Sequence, residues 1–193
     1  MAGIGLRYCV YAPLTEDDEA GTHVYGAGKR GRKLINANIK INKSEAPLYA
    51  EDGIAESVKE FIDGDITTGL DELTNDMRKD WLGNTVETIT VGSETEVEEL
   101  SGKDTDIAPY IGLGFIQPKI IDHVRMYRAV FFPKVQFGEP DENAETKGQS
   151  IVWQTPTIVG KIYRRNDGKW IEEITVPSLA TATTYIKGKV GLT

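Results

Sequence analysis

A single cysteine, Cys9, stands in 193 residues. No disulfide can form within the chain, so packing alone must hold the fold, which suits a reducing compartment. Histidine is nearly as scarce, with only His23 and His123. Metal centres and acid–base sites draw heavily on these two residue types, so few such sites can be built here. Cys9 is open to two readings: a nucleophile served by one of the histidines, or a small buried apolar residue, the usual fate of a lone cysteine. No apolar run approaches the length that crosses a bilayer, and the amino terminus lacks the basic and apolar regions of a secretion signal. An excess of positive charge is missing too. Lys and Arg number 22 against 30 Asp and Glu, a net charge of −8, and such a surface repels phosphate rather than gripping it.

What remains is 39% apolar and 27% charged, the balance of a globular domain. The length is enough to bury one core, and a single domain over 1–193 is expected. Its most organised stretch runs from Pro47 to Gly83. Tyr49 to Ser57 is small, polar and acidic (Glu51, Asp52, Glu56) and reads as an exposed excursion. Asp63-Gly64 is a turn signal. Ile66, Thr68 and Leu70 recur every second residue, as in a half-buried strand. Thr74 can cap a helix with its hydroxyl, Asp76 and Lys79 suit its two ends, and Leu73, Met77 and Trp81 line one face at a spacing of four. Gly83 is a natural left-handed stop. The expectation is one short helix, about Thr74–Leu82, plugging the end or flank of a β core.

Upstream, Tyr8 to Leu14 reads as a strand stopped by Pro13 and the acidic run that follows. His23 to Lys33 is glycine-rich and basic, and Gly26, Gly28 and Gly31 match G-x-G-x-x-G. A dinucleotide loop needs a helix after the glycines. Here Ile35, Ala37, Ile39 and Ile41 instead alternate with Asn36, Asn38, Lys40 and Asn42, which is a strand. The match is accidental on that reading, and Lys29, Arg30, Arg32 and Lys33 are either a solvated loop or an arm that pairs with the acidic surface of a neighbouring copy.

Downstream, Asn84 to Val91 reads as a strand. Gly92 to Asp106 is a linker or exposed hairpin whose Glu94, Glu96, Glu98 and Glu99 lack the spacing of a calcium loop. Ala108 to Gln117 alternates around Gly112 and Gly114. Val124 to Phe137 is a strand that Pro133 should break or place at an edge. Asp122-His123 reads as a turn. Gln149–Gln154 and Thr157–Arg165 read as strands joined around Pro156, and Asn166-Asp167-Gly168 is a hairpin signal answered by Trp170 to Val176. Ser178 can cap a short terminal helix with Leu179, Ala182 and Ile186 on one side; the alternative is a strand through Thr183 to Ile186. Many short strands with regular turn signals argue for a mainly-β fold, a sandwich or barrel, with a flanking helix and long loops.

Three segments carry a resemblance: YAEDGIAES with GDITTGLDEL and the helix after it, YRAVFFPKVQF (Tyr127–Phe137), and TKGQSIVWQTPTIVGKI (Thr146–Ile162). In this order they resemble the phi-thirteen-like major tail protein (tail tube) family of long-tailed phages of Gram-positive bacteria. The match runs from Leu34 to Lys161 and continues into DGKW; Gly64-Asp65 departs from the Gly-Gly expected there. The resemblance implies a tail-tube type β-sandwich whose copies form hexameric rings stacked into a tube. Its implied partners are further copies of itself, the tape measure protein inside the tube, and the tail terminator and tail-tip proteins. DNA passes through the lumen without specific binding, no membrane or cofactor is involved, and the location is the virion tail, assembled in the host cytoplasm. By position, 44–57 resembles the loop that bridges successive rings and 1–33 an amino-terminal arm. The candidate inter-ring contacts are Glu45, Tyr49, Glu51, Asp52, Glu56, Lys29, Arg30 and Arg32.

The competing reading is a monomeric β-sandwich binding module for carbohydrate or peptide, with Trp153, Trp170 and Tyr163 as a stacking surface. An enzyme is the weakest reading, since no nucleophile–base pair, metal spacing or phosphate loop survives inspection. No catalytic, cofactor or metal residue is assigned.

Overall fold

A long antiparallel pairing dominates the chain. In the computed structural model, β4 (Leu34–Ala50) and β5 (Gly53–Leu70) run alongside one another from Leu34↔Leu70 out to Ala50↔Gly53. The structure describes residues 3–50, 53–146 and 153–192, of which 46–50 and 53–58 are described by their backbone only. The other strands are β1 (Arg7–Asp17), β2 (His23–Tyr25), β3 (Lys29–Arg30), β6 (Thr85–Val91), β7 (Glu94–Ser101), β8 (Ile111–Ile121), β9 (Val124–Phe137), β10 (Thr157–Ile162) and β11 (Glu172–Val176). Two helices complete the described residues, α1 (Asn75–Leu82) and α2 (Leu179–Lys189). The fold is mainly β, as the sequence leads one to expect.

Nine strands form one antiparallel sheet in the order β2-β1-β8-β9-β10-β5-β4, with β3 also on β1 and β11 also on β9; β6 and β7 form a separate two-stranded hairpin. Residues 29–30 lie along β1, and from residue 34 the same run of chain pairs with β5 instead. Between them the Asp71 N–H donates to the Lys33 carbonyl at 3.0 Å, and the Lys33 N–H donates to the Asp71 carboxylate at 2.9 Å. One piece of chain thus ties the two ends of the sheet.

Alternation along the strands sends side chains into two cores, one on each face. The larger core takes Cys9 and Tyr11 from β1, Ile66 and Leu70 from β5, Leu113 and Phe115 from β8, and Met77 and Trp81 from α1. The smaller takes Val10, Ala12, Ile116, Ala129 and Phe131 from the opposite face, closed by Ala182, Ile186 and Val190 at the carboxyl end. Helix α1 forms as its sequence dictates: the Thr74 hydroxyl accepts from the Met77 N–H at 3.3 Å, and Gly83 ends the helix at φ 80°. Helix α2 starts on Ser178 in the same manner.

Several expectations are corrected. Pro13 does not stop β1, which continues to Asp17; Pro13 pairs with Ile111, and its carbonyl accepts from Gly26 at 2.8 Å. The stretch expected as an amino-terminal arm therefore carries a strand inside the sheet. Pro133 neither breaks β9 nor lies at an edge. It sits in a bulge between Leu113↔Phe132 and Ile111↔Val135, where Pro133 and Lys134 together oppose Gly112 alone. It also falls between β11, which pairs as far as Phe131, and β10, which starts at Val135. The missing N–H is thus placed where the ladder has no place for it. The bulge shifts the alternation as well: Val130 and Phe132 face the larger core before it, and Val135 and Phe137 after it.

Asp63-Gly64 is not a turn. Both lie within β5, opposite Asn42 and Ile41. The turn at Asn166-Asp167-Gly168 is present, but β11 returns to β9 rather than to β10. Gln154 is outside any strand, and 149–152 lie outside the described residues. Asp122 and His123 do form the two-residue turn between β8 and β9, at φ 49° and 64°.

Candidate assembly surfaces

The expected excursion at 44–57 is a two-stranded arm rather than a loop. Strand β10 accompanies β5 only from Gly64 to Gly69. Beyond Asn42↔Asp63 the two strands of the arm pair only with each other among the described residues. The eight pairs from Lys43 to Ala50 span roughly 25 Å at the usual strand rise.

The root of the arm is pinned. Asn42 donates to Asp63 (2.6 Å) and Asp65 (3.2 Å), and Lys161 pairs with the same two carboxylates at 3.3 and 2.9 Å. Asn42's hydrogen bond holds Asp63 below the usual carboxylate range, and Lys161's does so for Asp65. Phe61 stacks on Trp170, centroids 4.8 Å apart and planes 8° apart. Both groups lie at the base of the arm, so what extends past them is only a hairpin.

Of the candidate contact residues, Glu45 lies on the arm opposite Lys59 and pairs with it at 3.1 Å. Tyr49 and Glu56 lie in the arm's two strands, at Tyr49↔Ile54 and Leu48↔Glu56. Glu51 and Asp52 fall outside the described residues. The basic stretch divides. Lys29 pairs with Asp80 at 2.7 Å and Arg32 with Glu72, both within the subunit. Arg30 has no carboxylate among the described residues and lies over the Tyr8 ring, 4.8 Å from its centroid. Sequence could not sort these cations, because Glu72 and Asp80 are far along the chain.

The glycines beside them are needed for close approach. A Cβ on Gly28 would lie 2.1 Å from the Val190 carbonyl oxygen, and one on Gly31 would lie 2.8 Å from Cys9 Sγ. The G-x-G-x-x-G pattern therefore serves packing of this segment against β1 and the end of α2. Cys9 itself is buried, and burial pushes its thiol up to about 12; His23 and His123 are both exposed. Among the described residues, no group of three or more His, Cys, Asp or Glu is placed to hold a metal, and no helix is long and apolar enough to cross a membrane.

The three aromatics differ in their settings. Trp170 is engaged by Phe61 and Tyr163 meets Tyr110 edge-on at 5.6 Å, while Trp153 is 86% exposed. Strand β4 pairs only with β5 among the described strands, so its outer edge is open, and Ile35 and Ile39 are exposed along it. Sequence alternation found β4 but could not tell that it lies at an edge. A scan of family models matches none to this chain, and no curated protein matches it.

Proposed function

We propose that this chain is the structural subunit of a phage tail tube, self-assembling into stacked hexameric rings around a tape measure protein and later conducting DNA. The single observation that carries the reading is the β4–β5 arm. A two-stranded hairpin is marginal in water on its own. Eight residue pairs without a third strand among the described residues, leaving the body at a pinned root, are what a protein keeps when another copy covers them. The open β4 edge supports the same conclusion. Long edges invite pairing with another chain, and a closed ring turns that hazard into an interface. The three resembling segments in order add the family-level expectation. The net charge of −8 suits a conduit past which phosphate must slide without sticking.

Negative-stain electron microscopy across a concentration series, with light scattering beside it, tests this. Rings or tubes of uniform bore are expected. A monomer that stays monodisperse to millimolar concentration, and is not recruited when seeded with tail-tip complexes, would overturn the proposal in favour of a monomeric binding module.

A further inference from the structure

A cleft of about 440 Å³ opens between β1, β3 and the start of α2. Its apolar lining comes from Leu6, Leu34 and Leu179, and its charge from Arg7, Arg30 and Lys33. None of these three side chains makes an ion pair among the described residues, although their neighbours Lys29 and Arg32 do; the Asp71 carboxylate takes the Lys33 backbone N–H, at 2.9 Å. In a chain of net charge −8, three cations without an ion-pair partner among the described residues, around one concavity, form a local field of the opposite sign. The backbone is shaped for it as well. Residues Tyr8 and Cys9 bulge between Arg7↔Ile116 and Val10↔Gly114, and Tyr8 is held at φ 55°. A left-handed aromatic residue is strained, and such strain persists where the surroundings require it. The result sets the Tyr8 ring in the cleft wall beneath Arg30.

The β6–β7 hairpin offers the complement. It stands apart from the main sheet. Glu87 lies directly opposite Glu99, with Ile89 opposite Val97 as the next pair on that face. Like charges facing across strands are destabilising, and neither Glu87 nor Glu99 has a partner among the described residues; Glu98 alone of the hairpin's acids is met, by Asn75 at 3.0 Å. The face thus presents two opposed carboxylates beside half-buried aliphatic side chains, matching three cations around an aliphatic floor.

We propose that the cleft receives the β6–β7 hairpin of a second copy of this chain, Glu87 and Glu99 meeting Arg30, Lys33 and Arg7. The inference rests on the self-assembly reading above and names one of its contacts. Within one subunit these groups leave each other unpaired, so the pairing is between copies.

The test compares critical concentrations for assembly, by sedimentation and light scattering, for four full-length proteins: wild type, Arg30→Glu with Lys33→Glu, Glu87→Lys with Glu99→Lys, and the four changes together. All four positions are solvent-accessible, and circular dichroism with urea unfolding confirms that each variant folds; Arg30→Gln with Lys33→Gln replaces the reversal if it does not. Each pair alone is expected to raise the critical concentration about tenfold or more, and the combination to recover most of the loss, as a double-mutant cycle reports for groups in contact. Wild-type assembly should also weaken as salt rises. Assembly indifferent to the cleft changes, or damaged by them with no rescue from the hairpin changes, overturns the contact while leaving the tube reading intact. In the second case inorganic phosphate that competes for the wild-type cleft would identify a small anion as the occupant instead. A wild type that never assembles removes both.

Discussion

Trp81 lies flat on Phe137, with ring centroids 4.4 Å apart and planes 10° from parallel. Tyr11 meets the same indole edge-on at 5.5 Å, and its hydroxyl donates to Asp80 at 3.1 Å, the carboxylate that also takes Lys29. Helix α1 is therefore fastened to β9 and β1 by one side chain that is fully buried.

Removing that side chain leaves a cavity between the helix and the sheet. Trp81→Ala should cost about 3–5 kcal/mol, read as a lower urea midpoint. Fluorescence gives a second readout, because Trp153 is exposed while Trp81 is fully buried. Acrylamide should quench one emission component readily and leave a protected, blue-shifted one, and Trp81→Phe should delete the protected component. A loss below about 1 kcal/mol in the alanine variant would mean that α1 is not part of the core.

Cys9 supplies a probe of the region where β1, β3 and the glycine segment meet. Its side chain is buried against Gly31, and its thiol lies far above the ordinary cysteine value. The thiolate is the reactive form. At pH 8 a thiol reagent should label the native protein at least about 100-fold more slowly than the urea-unfolded chain, the residual rate reporting local opening. Labelling at the unfolded rate would show that this edge of the sheet opens freely.

Arg165 is buried and shared between two regions. Its Nε donates to Asp167 at 2.9 Å, a second nitrogen bonds the other Asp167 oxygen, and Nη1 donates to the Tyr25 hydroxyl at 3.2 Å. Those bonds, helped by the Lys169 N–H, hold the Asp167 carboxyl down at about 2. A carboxyl lowered in the folded state stabilises fully above its unfolded value and less as pH falls through the folded one. This contribution should therefore fade between about pH 4 and pH 2. Asp167→Asn should cost roughly 1.5–3 kcal/mol at pH 7, and in that variant stability should fall less steeply across the same acid range. Parallel urea titrations at stepped pH decide it; equal slopes in the two proteins would show that the pairing does not form.

Sequence made the local features legible. Thr74, Gly83 and the spacing of Leu73, Met77 and Trp81 fix α1 from within its own turns, as Ser178 fixes the start of α2. The alternation in β8 and the early part of β9 shows which residues share a face. What stayed hidden depends on partners distant in the chain. Pro133 is harmless only because β10 and β11 leave a gap opposite it. Asp63-Gly64 is held straight by pairing with Asn42 and Ile41 against its own turn preference. Arg165 would be read as exposed, since Tyr25, its half-buried partner, lies 140 residues away. The arm was concealed for another reason: Tyr49 to Ser57 lacks the strong apolar alternation by which a strand is read.

The arm should also be separable from the folding of the body. The larger core draws on Ile41 and Phe61 at its root and, of the residues between them whose side chains are described (42–45 and 59–60), on none. Replacing residues 44–60 with a two-residue Asn-Gly turn joins Lys43 to its partner Phe61 and keeps the root contacts of Asn42, Asp63 and Lys161 and the Phe61–Trp170 stack. The shortened protein should unfold within about 1 kcal/mol of wild type, because a lone hairpin in water contributes little. It should nevertheless fail to form tubes at concentrations where wild type does, and it should not poison wild-type assembly if the arm is what reaches the next ring. Trp170→Ala is the complementary change. It keeps every residue of the arm but loosens its base, so amide exchange in 43–50 should quicken while the body's protected amides hold. Tubes formed normally by the shortened protein would remove the arm from the interface and leave the β4 edge as the surface to test next.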